Sequence, residues 1–291
     1  MKLLQFKRHN ETRLGVKTNR GILDVKEASN YFQIYTPTNM HALILAEEEG
    51  MQALRSLVEV ASTNYALFYN ENEMDFTPVI HNPDKIICVG LNYVPHVEES
   101  KMKIPESPVL FSKFNNTLAA HKEEISLPNI AEKYDYEAEL VIVIGKKAYQ
   151  INEEEALSYV FGYTVGNDLS ARDLQFNSSQ WLLGKTLNQF GPVGPYVVTA
   201  DEIDPGNLSI ECKVNGEVRQ ASNTKNMIFS CASLISYISQ HVILKPGDII
   251  YTGTPEGVII GYPEKEQVWL QSGDEVEVTI ENIGTLKNVL V

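Results

Sequence analysis

Tyr134-Asp135-Tyr136-Glu137-Ala138-Glu139-Leu140-Val141-Ile142-Val143-Ile144-Gly145 places carboxylates directly ahead of an unbroken apolar run. The residues from Leu140 to Ile144 are all β-formers with no polar alternation, which predicts a buried strand. Residues two apart on a strand share a side, so Glu137 and Glu139 should project together. Taken alone, Glu-x-Glu at a strand entrance is the ordinary solvated face. Here Glu139 adjoins an interior, and a buried acid needs a partner. Asp168 ends a later run, Phe161-Gly162-Tyr163-Thr164-Val165-Gly166-Asn167-Asp168, which a second strand could bring alongside. Three converging carboxylates repel one another unless a cation sits among them. Oxygen-only ligands suit magnesium, manganese or calcium and leave coordination positions for a substrate.

The remaining composition restricts the setting of that site. A chain of 291 residues with 43% hydrophobic and 21% charged residues is an ordinary globule with ample core. Its net charge of -14 and lack of Lys/Arg clusters exclude nucleic acid and anionic membranes as expected partners. Cys88, Cys212 and Cys231 are far apart and lack C-x-x-C spacing, so reduced, buried thiols and a cytoplasmic location are expected. The N-terminus becomes polar too early for a signal peptide, and no apolar run reaches membrane-spanning length.

Residues 1–75 are expected to form a small α+β domain. Strands are predicted over Lys2–Lys7, Arg13–Thr18 and Gly21–Val25, and helices over Met40–Glu49, stopped by Gly50, and Met51–Ala61. Residues 76–84 form the linker, and 85–291 a β-rich catalytic domain. In that domain Asn215-Gly216 is a hairpin signal and Phe229–Gln240 a helix. Many strands, few helices and non-local pairing predict an α+β fold built on a mixed β-roll or distorted β-sandwich.

After the short strand ending at Gly90, Pro95 can begin a helical turn on which His96 and Glu99 share a face. A Glu accepting a proton from imidazole raises the basicity of the ring, as activation of a water requires; a surface helical pair is the plainer alternative. Gly184-Lys185-Thr186 fails as a phosphate loop, because Ser179 stands where the first glycine belongs. Lys185 is either an anion-binding, enolate-stabilising cation or a surface residue.

Together, Val89-Gly90-Leu91-Asn92-Tyr93 with His96 and Glu99, Tyr136-Glu137-Ala138-Glu139-Leu140, Asn167-Asp168-Leu169-Ser170-Ala171-Arg172-Asp173, Gly184-Lys185, Asn215-Gly216-Glu217 and Gly247-Asp248 through Gly257-Val258 resemble the fumarylacetoacetate hydrolase family. The blocks run in the family's order from about residue 83 onward, and the N-terminal unit resembles the accessory domain of bacterial members. The resemblance implies a homodimeric enzyme holding Mg2+ or Mn2+ on Glu137, Glu139 and Asp168. It also implies a His96–Glu99 dyad in a segment that ligand orders, with Lys185 catalytic and Gln175, Arg172, Thr254 and Tyr93 binding substrate. The implied substrate is a small 2-oxo acid: an acylpyruvate- or fumarylacetoacetate-like compound hydrolysed at a C–C bond, or oxaloacetate decarboxylated. Chelation by a metal would draw electron density from the reacting bond and stabilise an enolate. Alternatives are a 2-hydroxyhepta-2,4-diene-1,7-dioate isomerase, a 5-oxopent-3-ene-1,2,5-tricarboxylate decarboxylase, or a non-enzymatic, metal- and ligand-dependent partner-binding protein. Pro95 stands where relatives commonly carry an acidic or small residue, which weights the expectation from hydrolysis towards metal-assisted enolate chemistry.

Overall fold

The computed structural model describes residues 1–291. The run that follows Glu137 is the strand Ala138–Ile144, and all seven of its residues are buried. Its alternate side chains feed two different cores. Leu140, Ile142 and Ile144 join one apolar cluster and Val141 and Val143 the other. A strand covered on both faces has no wet side, so no polar alternation is seen.

This strand lies inside a 12-stranded mixed sheet. It pairs antiparallel with Val160–Asn167 on one side and Ile249–Tyr251 on the other. Ile249–Tyr251 runs parallel to Ile86–Gly90, and Val109–Lys113 closes that edge. In the other direction Val160–Asn167 pairs with Gly191–Thr199. A five-stranded sheet containing Ser209–Val214, Glu217–Asn223, Glu275–Ile280 and Gly284–Leu290 packs across these central strands. The result is a β-rich α+β fold of mixed sheets without a closed barrel. Asn215 and Gly216 both adopt positive φ, 53° and 83°, matching the hairpin expected of that dipeptide.

The N-terminal strands continue the large sheet. Lys2–Arg8 pairs with Gly191–Thr199 through Lys2↔Val198 and Leu3↔Val197. Met40, Leu43, Leu54 and Leu57 on the adjacent helices share a core with Val141, Val193 and Ile249. Two local expectations are corrected here. The helices are Met40–Leu45 and Glu47–Ala61, so the break falls at Ala46, and Gly50 lies inside the second helix. A Cβ at Gly50 would stand 2.6 Å from that of Ala46, so close packing accounts for this glycine. Val25–Phe32 is a helix capped by Asp24, whose side chain accepts from the Glu27 amide, where only a strand end was expected.

His121 joins the two halves of the chain. Its Nδ1 accepts the Lys287 amide at 3.1 Å, and its ring meets Phe76 edge-on at 4.9 Å. Burial, with Lys122 and Lys287 nearby, pulls its pKa down from 6.5 to about 4. The unfolded chain therefore takes up this proton first as pH falls. The contribution of neutral His121 to stability is complete above its unfolded pKa and is lost as pH falls through the folded value. Urea unfolding between pH 7 and pH 4 should show a loss approaching 3 kcal/mol, to order of magnitude, that His121→Gln removes. An unchanged slope in the variant would assign the loss to other groups.

Candidate active site

Register places the three carboxylates. Glu139 pairs with Gly166 and Ala138 with Asn167, so Asp168, one residue beyond its strand, lies beside the acids that lead into the neighbouring strand. The Asn167 side chain accepts the Glu137 amide at 3.0 Å, and the Asp168 amide donates to the Glu137 carbonyl at 2.9 Å. One oxygen from each of Glu137, Glu139 and Asp168 lies within 4.8 Å of the others, and all three residues are buried.

Cations surround this cluster without filling it. Lys185 Nζ donates to Glu137 Oε2 at 2.7 Å and Asp168 Oδ2 at 3.1 Å. Arg172 pairs with Glu137 Oε1 at 2.7 Å and Asp135 Oδ2 at 2.8 Å. Lys113 Nζ stands 2.5 Å from Asp168 Oδ1, an ion pair lacking hydrogen-bond geometry, and donates to the Leu169, Lys185 and Phe190 carbonyls. Burial opposes ionisation of Glu137, but Lys185 and Arg172 outweigh it and hold the group down at about 2. Glu139 is pushed well above the usual carboxylate range by burial and by the charges of Asp168 and Glu137. No lysine or arginine pairs with it; the Gly253 amide donates to its Oε2 at 2.7 Å. Gly253 has φ +100°, and a Cβ there would lie 2.7 Å from that of Asn92. Glycine is required for that approach. Crowded oxygen donors, one without a cationic partner, fit a divalent metal ion.

The helix Val94–Glu99 brings the dyad to a cavity that Glu137 also lines. His96 Nδ1 lies 2.7 Å from Glu99 Oε1, and Glu99 Oε2 accepts the Gly257 amide at 2.9 Å. Because Glu99 accepts at Nδ1, that nitrogen carries the proton and Nε2 is left for the cavity. The cavity, about 600 Å³, is also lined by Glu137, Lys185, Arg172, Gln175 and Thr254. Gln175 Oε1 accepts from Arg172 at 2.9 Å, and Thr254 Oγ1 accepts from Gln220 at 2.9 Å. Tyr93, expected to bind substrate, is fully buried and is not among the residues lining the cavity.

Sequence reasoning missed Lys113, Asp135 and Gln220. Asp135 has the parity of Glu137 and Glu139, and its oxygens hold Arg172 together with the Ile259 and Ile260 amides. Lys113 has the parity of Val109 and Phe111 and is buried at the end of its strand. Inward parity was the available signal for both. Gln220 bridges the Ala138 amide to Thr254 across 82 residues of sequence and leaves no local trace.

Fold and site together define a β-rich enzyme scaffold with a buried acidic centre facing a histidine–glutamate pair. Residues 85–291 match the family model described as fumarylacetoacetate (FAA) hydrolase C-terminal. The chain belongs to the fumarylacetoacetate hydrolase family, whose similar members are enzymes. It is 41% identical over 297 residues to the mitochondrial oxaloacetate tautomerase Fahd2a of Rattus norvegicus, covering 100% of this chain and 92% of that protein. The fumarylacetoacetate hydrolase of Exiguobacterium antarcticum superimposes with a TM-score of 0.79 at 33% identity, covering 100% of this chain and 99% of that one. The maleylpyruvate hydrolase of Sphingobium sp. SYK-6, solved with manganese(II) and pyruvate, superimposes with a TM-score of 0.80 at 26% identity, covering 100% and 99%. The cysteines are free and buried, and no helix is long and apolar enough to cross a membrane.

Proposed function

We propose that this protein is a Mg2+- or Mn2+-dependent, homodimeric enzyme that moves a proton on a small 2-oxo acid, with keto–enol exchange of oxaloacetate as its reaction. The observation that carries this reading is a single cavity lined by Glu137 of the acidic triad, by Lys185, which bonds both Glu137 and Asp168, and by the His96–Glu99 pair. Similarity to an oxaloacetate tautomerase over the full chain supports the choice of substrate. Glu137, Glu139 and Asp168 would hold the metal, which supplies Lewis acidity that makes the carbon next to the 2-oxo group easier to deprotonate.

The chain's own groups supply the rest. His96 Nε2 takes a proton from carbon 3; the C–H pair becomes the C2–C3 double bond, the C2–O π pair moves onto oxygen, and that oxygen takes up a proton that the imidazolium gives back, directly or through water. Glu99 keeps the imidazole in the required tautomer and steadies its charge while it holds the proton. Lys185 presents positive charge to the oxygen that becomes negative, and Gln175, Arg172 and Thr254 orient the carboxylate. In an acyl hydrolase the same histidine would deprotonate a water, so the products must be read directly.

The test follows loss of the enol band of oxaloacetate with malate dehydrogenase present to remove the keto form. Metal-loaded wild type should accelerate that loss by about 10²-fold or more over Glu139→Ala. Pyruvate released without enol exchange would make the enzyme a decarboxylase, and cleavage of acylpyruvate alone would make it a hydrolase.

A further inference from the structure

Charge counting around the site leaves one demand unmet. At the acidic centre itself, with Glu99 set apart beside His96, Asp135, Glu137, Glu139 and Asp168 face Lys113, Arg172 and Lys185, so four carboxylates meet three cations. A divalent ion turns the excess negative charge into one positive charge, which the carboxylate next to a 2-oxo group cancels. A second carboxylate on the same ligand would find no further cation near the centre, because Lys185 and Arg172, each also paired with two acids, are already given to the 2-oxo oxygen and to the first carboxylate. The remaining lysine or arginine lining the cavity is Lys101, which is exposed and makes no ion pair.

The backbone around Lys101 is unusual for a lysine. Its amide donates to the Glu98 carbonyl at 3.0 Å, and the Met102 amide donates to that of Val97 at 3.1 Å. This pair of bonds ends the helix carrying His96 and Glu99 in a Schellman motif, with Lys101 at φ 55° in the left-handed position. Glycine enters that position without steric cost and is the common occupant; lysine is not. Glu264 also lines the cavity, exposed and without an ion-pair partner, so its charge opposes that of Lys101 there.

We propose that Lys101 receives the distal carboxylate of a dicarboxylic 2-oxo acid and makes the cavity selective for dianions. This rests on the 2-oxo acid reading given above. Contact with the ligand would also tie down the end of the helix that presents His96, linking recognition of the second charge to placement of the base.

The experiment is calorimetry on the metal-loaded full chain with 2-oxoglutarate and 2-oxopentanoate, which have equal carbon counts and differ at the terminal carboxylate. In wild type the dianion should bind more tightly. Lys101→Gln should weaken 2-oxoglutarate by about three- to tenfold and leave 2-oxopentanoate unmoved, with Lys101→Arg retaining the preference. Glu264→Gln should shift the dianion in the opposite direction. With oxaloacetate and its 4-methyl ester, Lys101→Gln should raise KM for the diacid alone. Equal weakening of both 2-oxo acids would make Lys101 a helix-positioning residue and overturn the proposal, as would no weakening of either. If wild type binds neither ligand, the 2-oxo acid reading itself fails, and that outcome is distinct from binding without discrimination.

Discussion

Glu139→Gln is expected to abolish divalent metal binding and activity while leaving the metal-free protein as stable as wild type, or more so. Glu139 is buried, close to Asp168 and Glu137, and has no cationic partner, so its neutral form is favoured and glutamine is nearly its isostere. Its folded pKa lies above its unfolded one. The stability it confers is therefore complete below the unfolded value and declines as pH rises through the folded value. Glutamine has no such decline, so the variant should gain on metal-free wild type towards neutral pH. A metal needs the carboxylate and must displace the proton. Wild-type affinity should accordingly rise with pH, with protons released on binding, by about 10²-fold or more over the variant. Calorimetry in buffers of different ionisation enthalpy reads the protons, and urea unfolding reads the stability. A variant that still binds Mn2+ at wild-type affinity would remove Glu139 from the ligand set.

Asp168→Asn provides the contrast. Asp168 is the shared partner of Lys113 and Lys185, both buried, so amidation leaves two ammonium groups short of countercharge. Breaking a buried pair costs about 3–5 kcal/mol. Both changes remove one acid from the same triad, yet only this one should unfold the protein at lower denaturant. The difference lies in which acid has a cationic neighbour.

That asymmetry also marks what could be read before any coordinates were known. Glu137, Glu139 and the His96–Glu99 pair rest on spacings of two on a strand and three on a helix, which are local properties of the backbone. Asp168 could be anticipated because its apolar run predicted a strand able to pair with the first. The β-rich fold class followed from the same runs. Parity could mark Lys113 and Asp135 only as inward-facing; the contacts that bring them and Gln220 to the site are with residues 37 to 82 positions away and are fixed by the tertiary fold. Tyr93 stood in a block of the family resemblance, and its full burial, outside the residues that line the cavity, is a tertiary property no local spacing carries. The continuity of the large sheet from Lys2–Arg8 into Gly191–Thr199 likewise depends on a pairing across almost 200 residues that no local pattern announces.

His96→Asn is expected to lower kcat by about 10² to 10⁴ while metal affinity stays at the wild-type value. His96 lines the cavity and hydrogen-bonds Glu99, but it does not belong to the acidic triad. Its removal leaves Glu99 held by the Gly257 amide, so the loop facing the dyad should keep its position. The loss should therefore appear in kcat more than in KM, and the acid limb of the pH–rate profile that reports the free base should vanish. Glu99→Gln tests the arrangement from the other side. An amide can accept from Nδ1 and preserve the tautomer, but it supplies no charge to stabilise the imidazolium, so a smaller loss is expected. Glu99→Ala frees the ring as well and should approach the His96→Asn level. Wild-type turnover in His96→Asn would assign proton transfer to another group, with Lys185, which lines the cavity and donates to Glu137 and Asp168, the next side chain to substitute.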